Sequence, residues 1–196
     1  VPTWQPLAAA LAAYLLGCFS AAYYLVRLAK GQDIRELGSG TAGGRNAGRV
    51  LGRPGFVAVV LLDGLKGLLA VLLARWLGVQ GWWLVPALLA VVAGHIWPAQ
   101  LGFHGGKGIA TTIGALLAYN YLSVAALAAL FLAGYALTRS ATLGLMLAFV
   151  LLPLALLALG QPPDVVVALA LLAALVIYAN RSNIRARLPG RSAKAP

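Results

Sequence analysis

Long apolar runs alternate with short polar joints along this chain, and the lengths of the runs set the first expectation. Leu7 to about Val26 is apolar until Arg27 and Lys30 close it. Gly55 to about Leu77 and Trp82 to about Trp97 follow. Later come 122–137, 141–159 and 165–178, parted by Thr138-Arg139-Ser140 and Gln161-Pro162-Pro163-Asp164. Runs of this kind suit helices crossing a hydrocarbon core of about 30 Å. The run from Ile109 to about Tyr119 is shorter, roughly 16 Å as a helix.

Charge placement settles whether that short run crosses. If it does, Arg27, Lys30, Arg35, Arg45, Arg49, Arg53, Lys107, Arg139 and the basic tail from Asn180 share one side, with Arg75 opposite and Lys66 inside the membrane. If it does not, Arg139 and the tail change sides. The positive-inside rule selects the first arrangement. No basic residue precedes the first run, so it reads as a retained helix rather than a cleaved signal. The expected fold is therefore an all-α integral membrane protein of seven transmembrane helices, one short, with its N-terminus outside and its C-terminus cytoplasmic. It is read as a single domain over 1–196 with a basic cytoplasmic tail, 180–196.

Composition agrees. Hydrophobic residues make up 62% of the chain and charged residues 10%, which is membrane composition. The net charge of +11 is absorbed by topology, so nucleic acid is not an expected partner. Asp33, Glu36, Asp63 and Asp164 are the acidic residues, too few for a carboxylate-rich two-metal site, and no His/Cys cluster suggests zinc. No metal or cofactor is expected. Cys18 lies in an apolar run and reads as a small core residue.

Seven crossings bring three polar joints, around 38–49, 105–111 and 180–190, to one membrane face. One of them, Gly102-Phe103-His104-Gly105-Gly106-Lys107-Gly108-Ile109-Ala110-Thr111-Thr112, surrounds a lysine with glycines ahead of an apolar helix. Glycine lets main-chain N–H groups approach an anion, and a helix N-terminus adds donors and a positive dipole end. The stretch reads as a phosphate cradle of Gly105, Gly106, Lys107, Gly108 and Thr111. It is not a Walker loop, which requires glycine at Leu101 and Ser or Thr at Gly108. A flexible turn whose lysine marks the cytoplasmic side stands as the plainer alternative. The first joint offers Ser39, Gly40, Thr41, Arg45, Asn46 and Arg49, with hydroxyls, an amide and two guanidinium groups suited to phosphate oxygens. Its plainer alternative is a solvated positive-inside loop.

Ser39-Gly40 with Asn46 and Arg49, Gly94-His95 and Pro98, the Gly102–Thr111 stretch, Arg181 with Asn183-Ile184, and Asp63, Lys66 and Gly67 together resemble the bacterial acyl-phosphate:glycerol-3-phosphate acyltransferases. The resemblance runs from about residue 10 to 190. It implies a monomeric inner-membrane enzyme that takes acyl phosphate and glycerol 3-phosphate, needs no metal or acyl-CoA, and releases lysophosphatidate and phosphate. It implies catalytic parts for Lys107, Ser39 and Asn183, with Asn180 and Arg181 beside the substrate. The chain departs from the family pattern where Thr41 stands for Asn, Arg45 for Thr, Asn180 for His, Ala186 for Arg and Ser192 for Glu.

Asp63 and Lys66, three residues apart, share a helix face, and ionisable residues at that depth pair inward. They read as structural support. His95 reads as a hydrogen-bonded structural residue, with a general base as its alternative; Ser39 reads as an orienting hydroxyl, with a nucleophile as its alternative. From other classes, a transporter or binding protein for an anionic metabolite would use Lys107 and Arg49 as selectivity charges. A phosphotransferase would need an aspartate cluster that the chain lacks.

Overall fold

A computed structural model describes residues 4–187, among which all regular structure is helical. The end of the basic tail, with Ser192, lies outside the described residues. The chain forms two compact units that divide between Tyr119 and Asn120.

The first unit holds α1 (Trp4–Cys18), α2 (Ala21–Lys30), α3 (Gly44–Trp76), α4 (Leu84–Ile96) and α5 (Ile109–Tyr119). Small residues set its packing. A Cβ on Gly17 would overlap the Val91 carbonyl and one on Gly94 the Tyr14 carbonyl, so α1 and α4 cross backbone to backbone. A Cβ on Gly67 would overlap the Thr111 carbonyl and one on Gly114 the Gly64 carbonyl, which closes α3 on α5 in the same way. Lipid tails are as apolar as leucine, so helices in a bilayer gain from close backbone approach rather than from hiding apolar area.

Two joints differ from the sequence expectation. The first apolar run is broken at Phe19-Ser20, where Ser20 caps α2 by accepting from the Tyr23 N–H at 3.4 Å. The stretch between the first two apolar runs is partly helical: α2 continues to Lys30, and α3 begins at Gly44 rather than at Gly55, where the second run was expected to start. Ala47, Val50 and Leu51 lie against the cluster of Ala22, Val26 and Ile34 and give 44–51 a buried side under its arginines. Gly52, at φ 74° and ψ −169°, then kinks α3, and Pro54 follows at the start of the next turn, where its missing N–H costs little.

The second unit holds α6 (Tyr121–Thr138), α7 (Ala141–Ala158) and α8 (Pro163–Arg185). Asn120 caps α6 by accepting from the Ser123 N–H at 3.1 Å, and Ser140 caps α7 by accepting from Leu143 at 3.4 Å. A Cβ on Gly134 would lie 2.7 Å from the Gly144 carbonyl, so α6 and α7 also meet at glycines. The stretch from Asn180, expected to start a polar tail, is the last part of α8 up to Arg185. Six helical segments, with α1 and α2 counted as one, are long and apolar enough to span a membrane, and α5 is the short seventh.

Candidate active site

In the first unit, the first loop (31–43) and the glycine hairpin (97–108) are built around two buried polar centres. The first is Asn46. It is fully buried, and its Nδ2 donates to the carbonyls of Ile34 at 3.1 Å, Leu37 at 2.8 Å and Thr41 at 3.1 Å, while its Oδ1 accepts from the Ser39 N–H at 2.8 Å. A Cβ on Gly38, which has φ +58°, would overlap that Oδ1. Asn46 therefore folds the loop, and its amide is spent there rather than on a ligand. What the fold leaves outward is the tip, Gly38 to Gly40, which is exposed, with the Ser39 and Thr41 hydroxyls 3.1 Å apart. Arg45 and Arg49 stand exposed one turn apart on α3, helical residues where a loop was expected.

The second centre is Asp63, Lys66 and His95, all buried. Lys66 Nζ lies 3.0 Å from Asp63 Oδ1, and His95 Nδ1 lies 3.5 Å from the same oxygen. Lys66 also donates to the Gly17 carbonyl at 3.0 Å and the Phe19 carbonyl at 2.6 Å. The broken end of α1 leaves such carbonyls without helical partners, and an ammonium at a helix C-terminus also meets the negative end of the dipole. Gln100 supplies the Cys18 carbonyl in the same way. The Asp63–Lys66 pair expected on one helix face is therefore the cap of a helix break.

His95 carries the hairpin. Its carbonyl accepts from the Gly106 N–H at 3.1 Å, the Ile96 carbonyl accepts from Gly105 at 3.0 Å, and a Cβ on Gly106 would overlap the imidazole Nε2. The N–H groups of Gly105 and Gly106, read from sequence as anion donors, are thus committed to the hairpin. Only a glycine fits at 106, because the imidazole lies below it and the Ala42 carbonyl would lie 2.9 Å from a Cβ. Lys107 is half-buried at the end of the hairpin, and Gly108, at φ +81°, leads into α5. The first turn of α5 has N–H groups without intrahelical partners and the positive end of the helix dipole. Thr111 is fully buried within that turn and packs its backbone on Gly67.

The two pieces meet. The Ala42 N–H donates to the Gly105 carbonyl at 3.3 Å, and a Cβ on Gly43 would lie 3.8 Å from Gly106 Cα. The loop tip with Ser39 and Thr41 and the hairpin with Lys107 are therefore joined through backbone, as one polar surface beside the start of α5.

Asn180, Arg181 and Asn183 belong to the second unit. Asn180 is buried, donates to the Val176 carbonyl at 2.8 Å and accepts from Asn183 Nδ2 at 3.2 Å. Arg181 is exposed, stacks its guanidinium 4.2 Å from the Tyr178 ring centre and donates to the Tyr178 carbonyl at 2.9 Å.

Asp33 and Arg35 were not singled out from the sequence. Arg35 forks onto Asp33, with Nε at 3.1 and 3.0 Å from the two carboxylate oxygens and Nη2 at 2.6 Å, and its Nη1 donates to the Leu101 carbonyl at 2.6 Å. An Asp-x-Arg pair inside a basic loop carries no spacing signal that would separate it from the other arginines.

Residues 7–190 match the family model for glycerol-3-phosphate acyltransferase. The chain is 44% identical to glycerol-3-phosphate acyltransferase 1 of Desulfitobacterium hafniense (strain Y51) over 178 residues, which cover 91% of this chain and 88% of that relative. It is 42% identical to the glycerol-3-phosphate acyltransferase of Synechococcus sp. (strain JA-3-3Ab) over 192 residues, covering 97% and 94%. Among solved structures, it resembles PlsY, an integral membrane glycerol 3-phosphate acyltransferase, in its glycerol 3-phosphate form, with a TM-score of 0.84 and 34% identity across 97% of this chain and 96% of that one. The lysophosphatidic acid form of PlsY gives a TM-score of 0.82 and 33% identity across 95% and 93%.

Proposed function

The chain belongs to the glycerol-3-phosphate acyltransferase family, and from that premise we propose that its acyl donor is acyl phosphate and its product lysophosphatidate. It is a multi-pass membrane acyltransferase acting on glycerol 3-phosphate in phospholipid synthesis. The 1-hydroxyl oxygen of glycerol 3-phosphate forms a bond to the acyl carbonyl carbon, the bond from that carbon to the phosphate oxygen breaks, and inorganic phosphate leaves. The hydroxyl proton goes to an oxygen of the departing phosphate, so no side-chain base is required. The enzyme acts as a monomer in the cytoplasmic membrane, its polar joints facing the cytoplasm.

The observation that supports this reading best is the junction of the first loop and the hairpin through Ala42 and Gly105. A mixed anhydride has a good leaving group, so the main task is to hold two phosphorylated reactants in line. Lys107 and the first turn of α5 offer positive charge and N–H donors to one phosphate, with Arg45 and Arg49 toward the other. Ser39 and Thr41 orient oxygens by hydrogen bonding. His95 beneath Gly106 fits a support better than a base, because it lies buried under the hairpin. Asn183, fixed by Asn180, and Arg181 lie in the second unit, and their parts in substrate binding are those that the family resemblance implies.

Purified protein in bicelles, given acyl phosphate and glycerol 3-phosphate without added metal, is expected to release phosphate and form lysophosphatidate. With acyl-CoA as donor no product is expected. Binding of a phosphorylated ligand without acylation from either donor would instead support a binding or transport protein.

A further inference from the structure

We propose that Arg35, held by Asp33, is a positioning residue that clamps the first loop to the glycine hairpin and so keeps Ser39–Thr41 and Lys107 in fixed relation. The inference rests on the two loops acting together on phosphorylated substrates, as proposed above.

The argument starts from the attachment points. Leu101 is buried and ends the turn Ala99–Leu101, and its carbonyl accepts from the His104 N–H at 3.3 Å as well as from Arg35. It thus lies in the turn of the hairpin, whereas Gly105, which receives the Ala42 N–H, lies on the returning arm opposite Ile96. On the first loop, Arg35 comes before the exposed tip and Ala42 after it. The tip is therefore held on both sides, and the hairpin is held both at its turn and on its returning arm. A single attachment would act as a hinge; two fix the register between the surfaces.

Asp33 gives the clamp its aim. A guanidinium has five N–H donors in a rigid plane, and a carboxylate in the fork against Nε and Nη2 fixes that plane and directs Nη1 elsewhere. Here the remaining arm points at the Leu101 carbonyl. Asp33 is itself anchored by accepting from the Arg35 N–H at 2.9 Å, and the Tyr23 ring of α2 lies 5.7 Å from the guanidinium carbon. A lysine at 35 has one nitrogen and no plane, so it cannot fill the fork and reach Leu101 together. The arrangement separates this arginine from Arg45 and Arg49, whose exposed places on α3 suit contact with a ligand.

The test uses the full-length protein in bicelles, comparing wild type, Arg35→Ala, Arg35→Lys and Asp33→Asn. Two readouts are taken: steady-state kinetics against glycerol 3-phosphate, and amide hydrogen exchange over 33–46 and 96–106. Misplacing a positioned group by about 1 Å costs on the order of a hundredfold, so Arg35→Ala should lower kcat/KM by roughly ten- to a hundredfold, with a rise in KM that loss of active protein alone would not produce. Arg35→Lys should fall nearly as far, and Asp33→Asn less far. Exchange should quicken in both segments in Arg35→Ala, including the hairpin that the substitution does not touch in sequence. An unchanged KM with kcat tracking only the folded fraction would overturn the clamp, as would faster exchange confined to 33–46. If wild type shows no turnover, the acyltransferase chemistry fails, and the exchange readout alone then decides the clamp.

Discussion

Lys107 owes its place to backbone contacts made by its neighbours: Gly105 and Gly106 are tied to Ile96 and His95, and Gly105 also accepts from Ala42. A substitution there should therefore remove charge without unfolding the hairpin. Charge-assisted contacts to phosphate in a dry site are worth a few kcal/mol, so Lys107→Ala should cost on the order of a hundredfold or more in turnover. Lys107→Arg should also be impaired, since the planar guanidinium is larger and the hairpin is close-packed at Gly106. Near-normal turnover in folded Lys107→Ala would return the hairpin to a plain turn. Asp33 carries a second prediction at this scale. The fork from Arg35 holds its carboxyl below the ordinary value of 3.8, against a smaller opposing effect of burial. A carboxyl depressed by folding adds stability that is complete above its ordinary value and is lost as pH falls through the depressed one. Hydrogen exchange of 33–46, followed by a pH series below about 4, should therefore quicken on the acid side in wild type. In Asp33→Asn that acid-side change should disappear.

Among the elements, helix breaks explain what sequence reading reached and what it missed. The apolar runs were legible because a bilayer demands length and hydropathy, and α4 to α7 lie close to where those runs were placed. The start of α3 was not, because glycines and arginines mask the buried side formed by Ala47, Val50 and Leu51. The break after Cys18 was not, because its carbonyls are satisfied from a distance, by Lys66 on α3 and Gln100 beyond α4. The same distance hid the work of Asn46, which reads as a ligand residue in one dimension and as the centre of a loop in three. Lys66 gives the prediction here. Lys66→Met would leave Asp63 buried without its ammonium and the α1 carbonyls without their donor. Breaking a buried pair typically costs about 3–5 kcal/mol, so the variant should melt well below wild type and insert poorly. The double variant Asp63→Leu/Lys66→Met removes the stranded charge and should recover part of the loss. Equal melting temperatures for Lys66→Met and wild type would show the pair to be idle.

For the whole molecule, orientation is the property that the helices leave open and for which the charges give a prediction. Six spanning segments together with α5 make an odd number of passes if α5 crosses, and the odd count puts the joints at 31–43, 97–108 and 139–140 and the end of α8 on one side. Those joints hold Arg35, Lys107, Arg139 and Arg187, whereas Arg75 marks the other side, where it donates to the Tyr119 carbonyl at 2.9 Å. The positive-inside rule predicts that the Ser39 and Lys107 surface faces the cytoplasm, where a soluble phosphorylated acceptor would meet it. In a Cys18→Ala background, single cysteines at Gln32 and Arg187 should resist a membrane-impermeant maleimide in intact cells and react after lysis. Cysteines at Gln80 and Pro162, both exposed on the opposite joints, should react in intact cells. If Gln32 and Gln80 behave as expected but Arg187 labels from outside and Pro162 does not, α5 turns back without crossing, and the second unit is inverted relative to the charge rule.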